Sequence, residues 1–339
     1  MLAISDRSQF PPVEYRRFLL KGSPADLGQA QAVLLKPMRA IFRPSAWEHD
    51  TSFIAQCAAI LRGVAPRLHD EIAAFADAMD VPMERALFLR AGSYAHGCSA
   101  FAWQCADGRV IAGRNYDFFE GLPTRHLYAT QPTQGFGHVG MNGGLVGGRN
   151  DGLNERGVFV ALHKVMANRP LDLKAGIPFH LVLRIVLEHC ATAAEAVELI
   201  CSLPHFVMFN YTVADAQGNF FAVETYPGLP SHVRQREGSI AVANHYESED
   251  LRPLHGQRKL GHSHQRVAAM IEPPAPWEDP WEAAKELLSS HRYGMCGHRE
   301  FNTTLWSGIF DLTNVRAAYA FGQPCITPYD EIEVPRVGG

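Results

Sequence analysis

The 339-residue chain has no uninterrupted apolar run of about 18 residues, so nothing in it reads as a membrane-spanning helix. It has no excess of positive charge. A net charge of −4 speaks against a phosphate-seeking surface and against nucleic acid as a partner. The stretch Met1-Leu2-Ala3-Ile4-Ser5-Asp6-Arg7 has no basic segment followed by an apolar core, so a secretory signal is not expected. The seven cysteines are an odd number and are scattered, which argues against a disulfide framework. They read as reduced thiols, and the cytoplasm is the expected location. A GxSxG string is missing, which excludes the standard α/β-hydrolase elbow. Internal repeats and low-complexity tracts are missing too, and Pro273-Pro274-Ala275-Pro276 is only a short stiff loop.

What is present is ordinary globular composition, 47% hydrophobic and 19% charged. Residues 1–97 read as mostly helical, from apolar spacing over 27–35, 53–61 and 68–78 and a proline-started helix at Pro82. From Cys98 the texture changes. Phe101–Cys105 and Arg109–Gly113 flank Asp107-Gly108, a hairpin signal. A glycine-rich region, Gly135–Gly157, leads into a buried strand at Val158–Leu162. Two helices follow over 179–203, the second opened by Thr192-Ala193-Ala194-Glu195. A hairpin over 211–224, a strand over 239–244, a helix over 281–291 and a last strand pair, 303–310 with 317–321, complete the chain. Strands paired in hairpins and helices in pairs predict α+β layering rather than βαβ winding.

Two leads are weak on their own terms. Gly135-Phe136-Gly137-His138-Val139-Gly140 fits GxGxxG, but Met141-Asn142-Gly143-Gly144 does not open a helix. It reads better as a glycine-rich loop lining a substrate site. Of the sixteen histidines, His255, His262 and His264 cluster, and Cys296-Gly297-His298 adds a thiol and an imidazole. Their spacing matches no usual zinc pattern, so they read as loop or surface residues, and neither metal nor cofactor is expected.

Cys98 carries more. A nucleophilic cysteine needs a base and a way to favour its thiolate. If the Gly97–Cys98 bond is cut, the new α-amino group, with an unperturbed pKa of about 7.7–8.0, supplies the base. Gly97 suits self-cleavage because attack on its carbonyl needs close approach and unusual dihedrals. Asp117 can hold the α-ammonium. Arg114 can bias the thiol towards thiolate and bind a carbonyl or carboxylate. Both lie at the end of the strand paired with Cys98's own.

These residues resemble the N-terminal-nucleophile hydrolases, within the group uniting choloylglycine hydrolases, penicillin V acylases and acyl-CoA:6-aminopenicillanate (isopenicillin N) acyltransferases. In the bile-salt hydrolase branch a Gly-Arg-Asn-x-Asp string follows the nucleophile. Gly113-Arg114-Asn115-Tyr116-Asp117 matches it, with Arg114 sixteen and Asp117 nineteen positions after Cys98. The acyltransferase branch more often has Gln at the place of Arg114. Lys21-Gly22-Ser23-Pro24 and a long segment ending in Gly-Cys are similar to that branch's propeptide. Asn150–Val158, Tyr211–Gly218 with Val223-Glu224, Ala243-Asn244-His245, Ser263-His264-Gln265-Arg266, Cys296-Gly297-His298, Leu305-Trp306-Ser307 and Pro324-Cys325 resemble further family strings, in order. His245 is followed by Tyr246 where Phe is commoner. The position that helps form an oxyanion hole in the choloylglycine branch falls on Lys164, beside His163, so that role is not carried over and a backbone N–H is expected instead.

The resemblance implies a four-layer αββα sandwich of two antiparallel sheets between helices. It implies a helical propeptide or α chain, 1–97, released or retained after cleavage at Gly97–Cys98, and a catalytic β chain, 98–339. It implies Cys98 as nucleophile, Asn244 as oxyanion donor and Arg266 as support, beside Arg114 and Asp117. The activity implied is that of a linear-amide hydrolase or N-acyltransferase working through a thioester on Cys98. Cysteine peptidase action on short peptides and a non-enzymatic binding role are the other classes, and retention of all five residues weighs against the last. The partner expected is a small acyl amide or acyl-CoA, with the two chains associating with each other and a homo-oligomer possible. Phe119, Tyr128 and Phe136 are candidates for an acyl pocket or for core.

Overall fold

A computed structural model of the chain describes residues 15–37, 39, 51–87, 97–118, 125–143, 146–256, 262–299 and 302–338. In order the elements are β1 (Tyr15–Gly22), α1 (Pro24–Leu35), α2 (Thr51–Val64), α3 (Pro66–Met79), α4 (Met83–Leu87), β2 (Ser99–Gln104), β3 (Val110–Phe118), β4 (Arg125–Pro132), β5 (His138–Asn142), β6 (Asp151–Asn154) and β7 (Phe159–Lys164). They continue with α5 (Phe179–His189), α6 (Ala193–Ser202), β8 (Phe209–Ala214), β9 (Phe220–Thr225), β10 (His232–Arg236), β11 (Ser239–Val242), α7 (Ser263–Met270), α8 (Pro280–Ser289), β12 (His298–Arg299), β13 (Asn302–Asp311), β14 (Arg316–Ala320) and β15 (Tyr329–Ile332).

The strands make two sheets. One has eight strands in the order β1-β4-β5-β6-β7-β8-β9-β10, and the other runs β11-β2-β3-β13-β14-β15 with β12 on β13. Every pairing is antiparallel except β1 with β4. Three apolar clusters show how the layers stack. Val160, Leu162, Tyr211 and Val213 of the first sheet pack with Leu68, Ile72 and Phe75 of α3 and with α5 and α6. Ala100, Ala112, Trp306 and Phe310 of the second sheet meet Leu153, Phe159 and Ala161 of the first. Phe101, Trp103 and Ile111 on the far face of the second sheet meet Met270 of α7 and Trp281 and Leu288 of α8. That is the four-layer αββα sandwich. A strand covered on both faces has no reason to alternate, so β3 is buried along almost its whole length.

The mostly helical segment before Gly97 also holds a strand that spacing did not single out, because residues 15–22 form β1 at the edge of the first sheet. Its apolar spacing is masked by Arg16 and Arg17, which is how an edge strand avoids pairing with other chains. Helix α1 starts on a capping box in which Ser23 and Asp26 satisfy each other's backbone, worth about 1 kcal/mol. Helices α1 and α3 are tied to α5 by buried charge. Gln31 donates to Glu71 (2.6 Å), and Arg184 grips Glu71 with two bonds of 3.0 Å and also pairs with Glu188 (2.9 Å).

The glycine-rich region also differs from the expected loop. It contains β5 and β6, and its glycines serve close packing: a Cβ on Gly152 would stand 2.4 Å from the Val139 carbonyl oxygen. Among the described residues Gly140 leads through β5 into β6 and opens no helix, which removes the nucleotide-binding context. Tyr128 is core, packed with Leu20 and Leu27, while Phe136 carries Arg156 over its ring, and Phe119 lies outside the described residues. The last strand pair gains a third member, β15. Among the described residues no helix is long and apolar enough to cross a membrane.

Candidate active site

Register places the site. Strand β2 pairs with β3 so that Ser99 faces Asn115. Continuing that register sets Cys98 opposite Tyr116 and Gly97 opposite Asp117. On its other side β2 pairs with β11, Ala100 facing Val242, so the same continuation brings Asn244 level with Cys98. Helix α7 packs behind, carrying Arg266. The five residues picked out by sequence therefore meet at one end of the second sheet, and all five are buried.

Strand alternation makes Arg114 and Asp117 approach from two sides. Arg114 points between the sheets, where its Nε stands 2.9 Å from Asp151 Oδ2 on β6. Asp151 in turn accepts from Trp306 Nε1 (2.7 Å), Tyr319 Oη (2.9 Å) and the Met141 N–H (3.3 Å), so with Arg114 its charge is held by four groups. Neither Nη of Arg114 has a hydrogen-bond partner among the described residues. A buried guanidinium with donors to spare is built to take an acceptor from elsewhere.

Asp117 points towards α7. Its Oδ1 accepts from Thr304 Oγ1 (2.7 Å), and its Oδ2 lies 3.7 Å from Arg266 Nη1. Burial raises its carboxyl to about 6, against the opposing pull of Arg266, Thr304 and Arg114. The same Oδ2 accepts no hydrogen bond among the described residues and faces Gly97. A Cβ on Gly97 would stand 2.7 Å from Asp117 Oδ2 and 2.5 Å from Asn302 Oδ1. The expectation of unusual dihedrals at Gly97 is corrected here. Its φ is outside the left-handed region, and glycine is needed because two side chains press on its Cα.

Arg266 joins the site together. Its Nη2 donates to Asn244 Oδ1 (3.0 Å) and its Nη1 to Ser99 Oγ (2.9 Å). With its oxygen held this way, the Asn244 amide must turn its nitrogen outward. Asn244 Nδ2 gives one hydrogen to the Lys164 carbonyl (2.9 Å) and keeps a second. Lys164 thus reaches the site through its backbone, while burial pushes its ammonium down to about 8. Ser99 Oγ makes a long contact, 3.5 Å, to the Gly97 carbonyl oxygen. Cys98 Sγ lies 3.6 Å from the Asp117 carbonyl oxygen. Burial pushes its thiol up, and Arg114 is the largest pull in the other direction.

Sequence reasoning missed Asp151, Ser99 and Thr304. Asp151 had a signal: a carboxylate at an inward position of a strand in the Asn150–Val158 string needs a buried cation. The two hydroxyls had none. Asn154, in the same string, is a structural residue, closing the β6–β7 turn by accepting from Arg156 N and Val158 N. The histidine reading also needs correction. His255 is buried rather than superficial, and the rings of His245 and His264 lie tilted against each other with centroids 3.8 Å apart. His245 is held close to Ser263 Oγ (2.7 Å), and burial lowers it to about 3. A cavity of about 780 Å³ opens beside this pair, lined also by Glu224, Arg234 and Arg252, but Cys98 does not line it. Cys296 and His298 converge with His291 and Cys325 instead of lying apart on loops.

Two largely antiparallel sheets stacked between helical layers make the four-layer αββα sandwich of the N-terminal-nucleophile hydrolases. Within that class, the chain belongs to the acyl-coenzyme A:6-aminopenicillanic acid acyl-transferase family, whose model matches residues 103–325. Among solved structures it is similar to penicillin V acylase from Agrobacterium tumefaciens (17% identity, TM-score 0.47, covering 70% of this chain and 86% of that one). It is also similar to the Caenorhabditis elegans ortholog of N-acylethanolamine-hydrolyzing acid amidase (16%, 0.44, 64% and 93%). A third is a conjugated bile acid hydrolase from Clostridium perfringens (14%, 0.42, 71% and 98%). No curated protein matches the chain.

Proposed function

We propose that the chain is an autoprocessing cysteine amidohydrolase or acyltransferase whose nucleophile, Cys98, becomes a chain N-terminus. The observation that carries this reading is the convergence on Gly97–Cys98 of Asp117, Ser99, Asn244 and Arg266 through one connected set of contacts.

In the precursor, Cys98 Sγ adds to the Gly97 carbonyl carbon. Ser99 Oγ, oriented by Arg266, stands beside the carbonyl oxygen where negative charge develops. The C–N bond breaks with the proton passing to nitrogen, leaving a thioester and a free α-amine. Water then hydrolyses the thioester, yielding the Gly97 carboxylate and the Cys98 thiol. The new α-ammonium forms against Asp117 Oδ2, which accepts no hydrogen bond among the described residues.

In the mature enzyme the α-amine takes the thiol proton as Cys98 attacks an amide or thioester carbonyl. The spare hydrogen of Asn244 Nδ2 meets the oxyanion, an effect typically worth about 3–4 kcal/mol. The free Nη groups of Arg114 take a polar group of the substrate. The α-ammonium protonates the leaving amine or thiol, and water or an acceptor amine resolves the acyl-enzyme. The family's description names a coenzyme A thioester and a β-lactam amine, so an acyl-CoA donor stands beside linear N-acyl amides as substrate.

Intact-mass analysis tests the reading. Wild type should appear as two chains meeting at Gly97 and Cys98, and should gain an acyl adduct on the Cys98 chain from a panel of N-acyl amides and acyl-CoAs. A single intact chain that still turns over such a substrate would refute the α-amine's role.

A further inference from the structure

Away from Cys98, four potential metal ligands converge at one point: His291 beyond α8, Cys296, His298 on β12, and Cys325 after β14. We propose that they hold one divalent cation of the zinc class in a closed tetrahedral site.

Four of the six ligand–ligand distances lie close to those of a tetrahedron. Zinc sits about 2.3 Å from thiolate sulfur and about 2.0–2.1 Å from imidazole nitrogen, so ligand atoms around it stand about 3.8 Å apart for two sulfurs, about 3.5 Å for sulfur and nitrogen and about 3.3 Å for two nitrogens. Here Cys296 Sγ and Cys325 Sγ are 3.6 Å apart, Cys296 Sγ and His298 Nε2 3.5 Å, Cys325 Sγ and His298 Nε2 3.2 Å, and the Nε2 atoms of His291 and His298 3.1 Å. All four ligand atoms lie within 4.8 Å of one another. The two sulfurs are far beyond disulfide bonding distance, and both cysteines are free. Pairwise hydrogen bonds do not need four lone-pair atoms to face a common centre, whereas a cation does.

The donor set selects the ion. Two thiols and two imidazoles exclude calcium and magnesium, which take oxygen. Binding releases two thiol protons, and the two thiolates neutralise a doubly charged cation beside the buried Cys296. Four protein ligands leave no open position, so the site is structural and not catalytic. It would pin the segment after α8 and the β14–β15 connection to the start of β13. The spacing hid it, since Cys325 stands far from the other three in sequence and is brought to them only by the β13–β14 hairpin.

The full chain, purified under reducing conditions without chelator or immobilised-metal resin, tests this by elemental mass spectrometry. One equivalent of zinc is expected, lost in Cys296→Ser and Cys325→Ser and kept in Cys201→Ser, an exposed thiol elsewhere. Cobalt reconstitution of the wild type should give the intense visible bands of a tetrahedral thiolate complex, a readout independent of whether the variants fold. Wild-type protein that neither retains nor takes up zinc or cobalt, or that is isolated with Cys296 and Cys325 joined in a disulfide, would overturn the site.

Discussion

At the scale of single residues, the site is a set of buried polar groups that define one another's orientation. Replacing Cys98 by Ala should abolish both maturation and turnover, leaving one band on a denaturing gel. Ser99→Ala should slow the proposed maturation on the order of tenfold to a hundredfold, because it removes the hydroxyl beside the Gly97 carbonyl and leaves Arg266 Nη1 with one partner fewer. The time course of chain separation on a gel measures this, and an unchanged rate would remove Ser99 from the mechanism. Asp117 gives a pH prediction with a definite sign. Its carboxyl, near 3.8 when unfolded, is raised to about 6 in the uncleaved chain. A raised carboxyl contributes its stability at low pH, and that contribution is lost as pH climbs from about 4 through about 6. In the uncleavable Cys98→Ala protein, the urea midpoint should fall over that window more than it does in Cys98→Ala/Asp117→Asn. Equal slopes would show that Asp117 is not perturbed. After cleavage the α-ammonium beside Oδ2 should draw the carboxyl back down.

At the scale of elements, β3 and β13 carry the site between them. Asp117 on β3 is held by Thr304 on β13, and Thr304 is itself bonded to Gly297, accepting from its N–H (2.8 Å) and donating to its carbonyl (3.0 Å). Asn302 of the same strand presses on Gly97. The proposed metal ligands Cys296 and His298 flank Gly297, so a bound ion would stiffen the support of the proposed cleavage site. Stripping it with chelator before maturation should slow chain separation, and zinc should restore the rate. A rate indifferent to metal would confine the ion to fold stability. At this scale the sequence was informative where periodicity is strong: the Asp107-Gly108 hairpin, the hairpin over 211–224 and the helices α3, α5, α6 and α8 fall where spacing predicts. It was uninformative where burial on both faces removes alternation, as in β5 and β6, and where charge masks a strand, as in β1.

For the molecule as a whole, the segment before Gly97 is built into the sandwich. Its helices share the outer core with α5 and α6, its first strand extends the first sheet, and Arg184 is gripped by Glu71 from within it. We expect this segment to stay bound after cleavage, the two chains co-eluting on size exclusion and parting only in denaturant. Glu71→Ala should destabilise the assembly by about 3 kcal/mol, read from the urea midpoint, since it leaves the buried Arg184 with one carboxylate, Glu188, in place of two.

The sequence alone determined that Cys98 follows a glycine and that Arg114 and Asp117 stand at fixed steps along the next strand. A two-residue repeat and a tight hairpin leave little freedom in where such residues go. Only the tertiary structure decided what each of them faces. It set Arg114 between the sheets against Asp151 and Asp117 against Gly97 on the other side. It brought Asn244 and Arg266 in from β11's end and α7, and it gathered Cys325 with His291, Cys296 and His298. Those contacts depend on how the sheets stack and on which strands share an edge, and both are settled by packing over the whole chain and not by local spacing.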